Sequence, residues 1–209
     1  GGAITNVNLD DHHTFTGLSQ WVHTVTVVVY DTSLNSNLTS VTFYVDTLPP
    51  QLTITTPQDN SYLNESSVTV RWTGEDEGSG TVIYSVRLDG GDWQSVGESP
   101  GCTFPALAEG MHTVDVLAFD QSGKTNTTSV IFFIDLTDPL LDMISPVHGS
   151  FLGDYNVTVE WEGSDDWSGI VHYEIWLNDV LQFNASSDSN SAMLSNLRDG
   201  TYNVTVKAV

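Results

Sequence analysis

Apolar and polar positions alternate along this chain with period two. Val68, Val70 and Trp72 are separated by Thr69 and Arg71, and His112, Val114, Val116 and Ala118 form a second such row. That spacing puts one row of side chains on the same face of a strand. Between residues 47 and 135 the pattern predicts seven short strands, at about 51–56, 66–73, 81–88, 92–96, 101–105, 111–119 and 127–134. Turn-forming strings divide them: Pro57-Gln58-Asp59-Asn60, Gly78-Ser79-Gly80, Asp89-Gly90-Gly91 and Gln121-Ser122-Gly123. No stretch sustains a 3.6-residue period. The expectation is an all-β fold, an antiparallel β-sandwich of about seven strands per unit.

The unit recurs with a period of 89 residues. Val45-Asp46-Thr47 returns as Ile134-Asp135-Leu136, Pro57 as Pro146, Trp72 as Trp161, Gly74 as Gly163, Ser79-Gly80 as Ser168-Gly169, Tyr84 as Tyr173 and Leu88 as Leu177. In the other direction, His112-Thr113-Val114 appears earlier as His23-Thr24-Val25 and Phe104 as Phe15. After a one-residue insertion, the segment from Gly110 reappears at Gly200-Thr201-Tyr202-Asn203-Val204. We expect a complete repeat at 47–135, the C-terminal part of one at 1–46, and one lacking its last strand at 136–209. Gly1-Gly2 then corresponds to Gly90-Gly91, in a turn within the first copy.

The string Leu194-x-x-Leu197-x-x-Gly200-x-Tyr202-x-Val204-x-Val206-x-Ala208 resembles the corner and following strand of fibronectin type III domains. Val-x-Val-x-Trp at 68–72 and 157–161 resembles the strand of that fold bearing a buried tryptophan. The whole unit, with Trp-x-Gly-x-Asp-x-x-Ser-Gly and Val-Asp-x-x-x-Pro, is similar to Ig-like repeats of large bacterial and archaeal cell-surface proteins, including S-layer-type proteins and adhesins. The resemblance implies an extracellular, cell-surface structural or adhesive segment. Its partners would be neighbouring repeats, copies of itself, or surface glycans and proteins. His23 and His112 depart from the pattern by standing at the corner tyrosine position, and Trp21 by replacing the turn glycine Gly110. These changes leave the corner hydrogen bond without its usual donor.

Charge narrows the partners. Five Lys and Arg against 27 Asp and Glu give a net of −22, which repels nucleic acid and anionic membrane surfaces alike. No apolar run approaches the roughly 20 residues that span a bilayer, so no direct membrane insertion is expected in this segment. One cysteine, Cys102, leaves no internal disulfide.

Acidic residues mark the strand ends. Glu75-Asp76-Glu77 and Asp165-Asp166 fall between the second and third strands of their units, Asp31 and Asp120 close the penultimate strand, and Asp46 and Asp135 lie in the linkers. In an Ig-like sandwich these segments meet at one pole. Calcium accepts carboxylates from separated segments, so Asp46, Asp76 and Asp120 form one candidate Ca2+ site, and Asp135 with Asp165 or Asp166 a second. The competing reading is that each aspartate caps its own turn through backbone N–H groups. A catalytic carboxylate pair is needed once, whereas these recur with every unit. No nucleophile elbow, zinc-protease string, P-loop or cysteine cluster is present, and no enzyme is expected.

Three further candidates remain. His12-His13 could hold a transition metal but lacks a third ligand nearby. Trp93, Trp167 and Trp176 could stack on sugar or simply cover a sheet face. N-glycosylation sequons stand at Asn37, Asn64, Asn126, Asn156, Asn184 and Asn203. The main expectation is therefore a stalk, surface-layer or adhesin spacer, with calcium as the candidate stiffener of its joints. The alternatives are a carbohydrate- or protein-binding module appended to a secreted enzyme, and a fibre subunit assembled by strand complementation.

Overall fold

The computed structural model describes residues 5–7, 11–78, 80 and 82–209; Gly1-Gly2, Ser79 and Thr81 lie outside the described residues. Among the described residues the regular structure is entirely strand. A hairpin of β1 (Trp21–Tyr30) and β2 (Ser36–Val45) comes first. Eight strands follow: β3 (Gln51–Thr56), β4 (Ser61–Leu63), β5 (Val68–Glu75), β6 (Ile83–Leu88), β7 (Gln94–Gly97), β8 (Gly101–Phe104), β9 (Gly110–Phe119) and β10 (Thr125–Ile134). The last six are β11 (Leu140–Ser145), β12 (Val157–Ser164), β13 (His172–Leu177), β14 (Val180–Ser186), β15 (Ser191–Leu194) and β16 (Val204–Ala208).

Seven of the eight strands between 47 and 135 lie where the period-two pattern puts them. The eighth, β4, has no counterpart in that pattern. It is three residues long, too short to show alternation, and it exists because Phe132, Phe133 and Ile134 of β10 pair with it in parallel. The sheets run β3-β5-β8 and β4-β10-β9-β6-β7, then β11-β12-β15 and β14-β13-β16. The three-stranded order β3-β5-β8 thus returns 89 residues on as β11-β12-β15.

The chain divides into two compact units. One comprises the described residues up to Gln58 with Thr69–Thr103 and Thr113–Val130; the other comprises Asp59–Val68, Phe104–His112 and Ile131–Val209. In the first, Val70, Trp72, Tyr84, Val86, Val114, Val116, Ala118 and Val130 are buried, and the Trp72 and Tyr84 rings meet edge-on at 5.6 Å. In the second, Val159, Trp161, Tyr173, Ile175, Leu194 and Val206 form the core, with Trp161 and Tyr173 at 5.3 Å. These are the alternating inward positions of the sequence.

The Trp-x-Gly motif has a packing cause. A Cβ on Gly74 would overlap the Tyr84 ring and hydroxyl, and one on Gly163 would overlap Tyr173. The tyrosine lies directly over the glycine, and the Tyr84 hydroxyl donates to the Gly74 carbonyl at 3.2 Å.

The corner bond survives its change of donor. Tyr202 Oη donates to the Arg198 carbonyl at 3.1 Å, and His112 Nε2 reaches the Ala108 carbonyl at 2.9 Å and His23 Nε2 the Ser19 carbonyl at 2.8 Å. An imidazole with its proton on Nε2 spans the same four residues as the phenol. Each histidine also packs beside the equivalent phenylalanine, His23 on Phe43 and His112 on Phe132.

Candidate functional site

Asp46, Asp76 and Asp120 each follow the last residue of a strand: β2, β5 and β9. A strand that stops leaves N–H groups of the next turn unpaired, and an aspartate there accepts them. Asp76 Oδ2 takes the N–H of Gly78 at 2.9 Å and of Gly80 at 3.2 Å. Asp120 Oδ1 takes Ser122 Oγ and Lys124 N, both at 2.8 Å. Asp46 Oδ1 takes Gln20 Nε2 at 2.9 Å and Leu48 N at 3.2 Å.

Turn capping therefore engages one oxygen of each carboxylate. The three residues also come together, offering one oxygen apiece with all three atoms within 4.8 Å of one another. Asp120 is 7% exposed, and neither its Oδ2 nor Asp46 Oδ2, both buried, has a hydrogen-bond partner. Burying an unpaired carboxylate oxygen beside two like charges is costly unless a cation or proton offsets it. Two oxygens each about 2.3–2.6 Å from one calcium ion lie at most about 5 Å apart, so the spacing fits a single ion. The donor set is all oxygen, as a hard divalent cation requires.

Two residues of this site lie outside the acidic pattern of the sequence. Gln20 orients Asp46, and its Oε1 accepts Thr47 N at 3.0 Å and Thr47 Oγ1 at 2.8 Å. Gly78 is packed so closely against Asp46 that a Cβ there would overlap the carboxylate. A signal for Gln20 does exist in the repeat: Glu109 stands 89 residues on and accepts Leu136 N and Thr137 Oγ1, both at 2.7 Å.

The other predicted acidic group is arranged differently. Asp135 is buried, its Oδ1 accepting Thr137 N at 3.3 Å and its Oδ2 accepting Ser168 N at 3.0 Å. Ser168, against opposition from burial, holds the Asp135 carboxyl below the usual range. Asp165 Oδ1 caps its loop through Trp167 N at 3.1 Å and Gly169 N at 2.7 Å, and Asp166 is exposed. Among the described residues, Asp46, Asp76 and Asp120 form the only group of three metal-competent side chains. At Asp31 the second oxygen is taken by Asn35 Nδ2 at 2.8 Å, and that side chain holds the carboxyl low. Lys124 stands at the Asn35 position beside Asp120.

The remaining candidates do not converge. His12 Nδ1 meets Asp11 at 3.0 Å in full exposure, and His13 packs edge-on to Phe15. Arg87 lies over Trp93, 4.6 Å from the ring centre, and pairs with Asp115 at 2.6 Å. Trp176 Nε1 donates to Glu174 at 3.1 Å. Trp167 lies against Gly110, where a Cβ would stand 3.6 Å from the ring. Of the sequons, Asn37, Asn64, Asn156, Asn184 and Asn203 are exposed, whereas Asn126 is half-buried and gives its Nδ2 to the Pro50 carbonyl at 3.0 Å.

Among known proteins, a family model for the bacterial Ig domain matches residues 139–206. The fibronectin(III)-like modules of Clostridium thermocellum CbhA align with a TM-score of 0.52 at 12% identity, covering 76% of this chain and 85% of that one. Carbohydrate-binding modules of the β-sandwich superfamily align at 11% identity over 79% of this chain and 94% of that one, with a TM-score of 0.40. No curated protein matches the chain. The chain thus has the fold of Ig-like, fibronectin III-like β-sandwich repeats. No helix of the described residues is long and apolar enough to cross a membrane.

Proposed function

We propose that this chain is a non-catalytic structural segment, a stalk or spacer of an extracellular surface protein, and that calcium held by Asp46, Asp76 and Asp120 stiffens one of its repeat joints. The observation that carries the reading is the meeting of three carboxylates with two buried, unpartnered oxygens. Asp46 closes one repeat, while Asp76 and Asp120 belong to loops of the next. An ion bound by all three fixes the loops of one repeat to the end of the other. The strongly negative chain raises the local cation concentration around such a site.

A glycan-binding module is the less well supported alternative. It needs a shared aromatic platform, whereas Trp93 and Trp167 are exposed singly, Arg87 lies over Trp93, and Trp176 is tied to Glu174.

Thermal unfolding with calcium added and then chelated tests the reading. A ligand at 100 times its Kd stabilises by about 2.7 kcal/mol, which for about 200 residues raises Tm by roughly 5–10 °C. Asp120→Asn keeps an oxygen for the turn but removes the charge, so the rise should disappear in that variant. An unchanged melting temperature in the parent, with no calcium bound by titration calorimetry, sinks the proposal.

A further inference from the structure

Asp46 joins the carboxylate group by a different route from the other two. Asp76 and Asp120 each cap the turn that they begin, whereas Asp46 stands between β2 and β3 and is held by Gln20, 26 residues earlier. The Gln20 amide is used at both ends. Thr47 N can only donate, so the end that it meets at 3.0 Å is Oε1, and the end that meets Asp46 Oδ1 at 2.9 Å is the donor Nε2. Thr47 Oγ1 reaches the same Oε1 at 2.8 Å and fixes the amide further. Gln20 Nε2 and Leu48 N thus both engage Asp46 Oδ1, while Oδ2 is left buried and without a hydrogen bond.

Gly78 acts on the same carboxylate. Its main-chain N–H caps Asp76 at 2.9 Å, and a Cβ on it would overlap Cγ and both oxygens of Asp46. Its φ lies outside the left-handed region, so the turn does not need glycine for its conformation. What requires glycine there is the space that Asp46 occupies. Three carboxylates offering one oxygen apiece supply at most half of a calcium shell of about six to eight oxygens. The remainder must come from water or other oxygens, so affinity depends on how firmly the three are held.

We propose that Gln20 and Gly78 are the positioning residues of this site. Gln20 selects which oxygen of Asp46 is presented, Gly78 leaves room for that carboxylate to approach, and together they set the affinity for the cation without ligating it. The inference rests on the calcium reading above.

Titration of the whole chain with calcium, read by calorimetry, with Tm measured separately in chelator, tests it. Gln20→Met keeps the side-chain length and removes its hydrogen bonds, and Gly78→Ala adds one methyl group. Each should raise the calcium Kd by about 10–100-fold, the usual effect of losing a group that orients a metal ligand. Glu109→Met is the control for a plain loss of stability, because Glu109 holds Leu136 N and Thr137 Oγ1 in the next repeat much as Gln20 holds Thr47. It should lower Tm in chelator and leave the calcium Kd unchanged. Thr47→Val removes only the hydroxyl contact with Gln20 and should raise Kd by less than Gln20→Met; should Gln20→Met fail to fold, an unchanged Kd in Thr47→Val counts against the role of Gln20. If the parent binds calcium and the folded Gln20→Met and Gly78→Ala proteins bind it as tightly, the positioning roles are overturned and the calcium reading stands. An equal rise in Kd in Glu109→Met overturns them as well. A parent that binds no calcium removes the calcium reading and this inference with it.

Discussion

Among single side chains, the repeated glycines and aspartates each answer to one contact. Gly74 and Gly163 exist because a tyrosine ring crosses them. Adding one methyl group in a packed interior costs about 1–3 kcal/mol, so Gly74→Ala should lower Tm by several degrees. Combining it with Tyr84→Phe, which removes the overlapping hydroxyl, should recover part of the loss. If Gly74→Ala lowers Tm equally in the parent and in the Tyr84→Phe background, crowding by the hydroxyl is not the cause. The aspartates divide their two oxygens in different ways. Where a neighbour such as Asn35 takes the second oxygen, the carboxylate is a turn cap and no more; where none does, as at Asp120, the oxygen is left for a partner outside the turn.

In the strands and the loops that join them, alternation sets the body of each strand and these caps set its end. Asp135 joins the end of β10 to the loop carrying Ser168, and its carboxyl is held below its ordinary 3.8. A group with a depressed native pKa stabilises the fold above the unfolded value and loses that contribution as pH falls through the native one. Acidification below about pH 4 should therefore loosen this loop, as followed by Trp167 fluorescence. Asp135→Asn replaces one acceptor with a donor facing an N–H group. Its unfolding should be easier at neutral pH and its acid limb shallower than the parent's. An acid limb identical in slope to the parent's counts against this role for Asp135. On the sheet face of β6, β9 and β10, burial opposes but does not outweigh the pull of Ser129 and Arg87, which hold Asp115 low, so Asp115 adds to the acid sensitivity with the same sign.

For the molecule as a whole, a net charge of −22 makes the compact state repel itself. Monovalent salt screens that repulsion over a Debye length of about 8–10 Å at roughly 0.10–0.15 M and should raise Tm gradually. Calcium at a specific site should act at much lower concentration, saturate, and keep its effect in about 0.15 M NaCl. If calcium and sodium at matched ionic strength give the same curve, the cation is a screening ion and nothing more. Magnesium distinguishes further: it dehydrates reluctantly and demands a tighter octahedron, so its effect should be smaller.

The order of residues alone makes legible the strands, the 89-residue repeat, the buried Trp72 and Trp161, and the aspartates at strand ends. Each of these is written in contacts a few residues apart or in a periodicity that one face of a sheet must obey. Which of those aspartates meet is settled only by tertiary packing. Asp46, Asp76 and Asp120 each bring one oxygen within 4.8 Å of the others, whereas Asp135, expected with Asp165 or Asp166, gives its oxygens to the N–H groups of Thr137 and Ser168 while Asp165 caps its own loop. What each carboxylate offers depends on whether an N–H group reaches its second oxygen, as at Asp135 but not at Asp120. Strand β4 and the half-buried Asn126 belong to the same category, since each depends on a partner tens of residues away. Caps and alternation are local and therefore readable from the chain; convergence depends on pairing and close packing between distant segments, which only the folded molecule fixes.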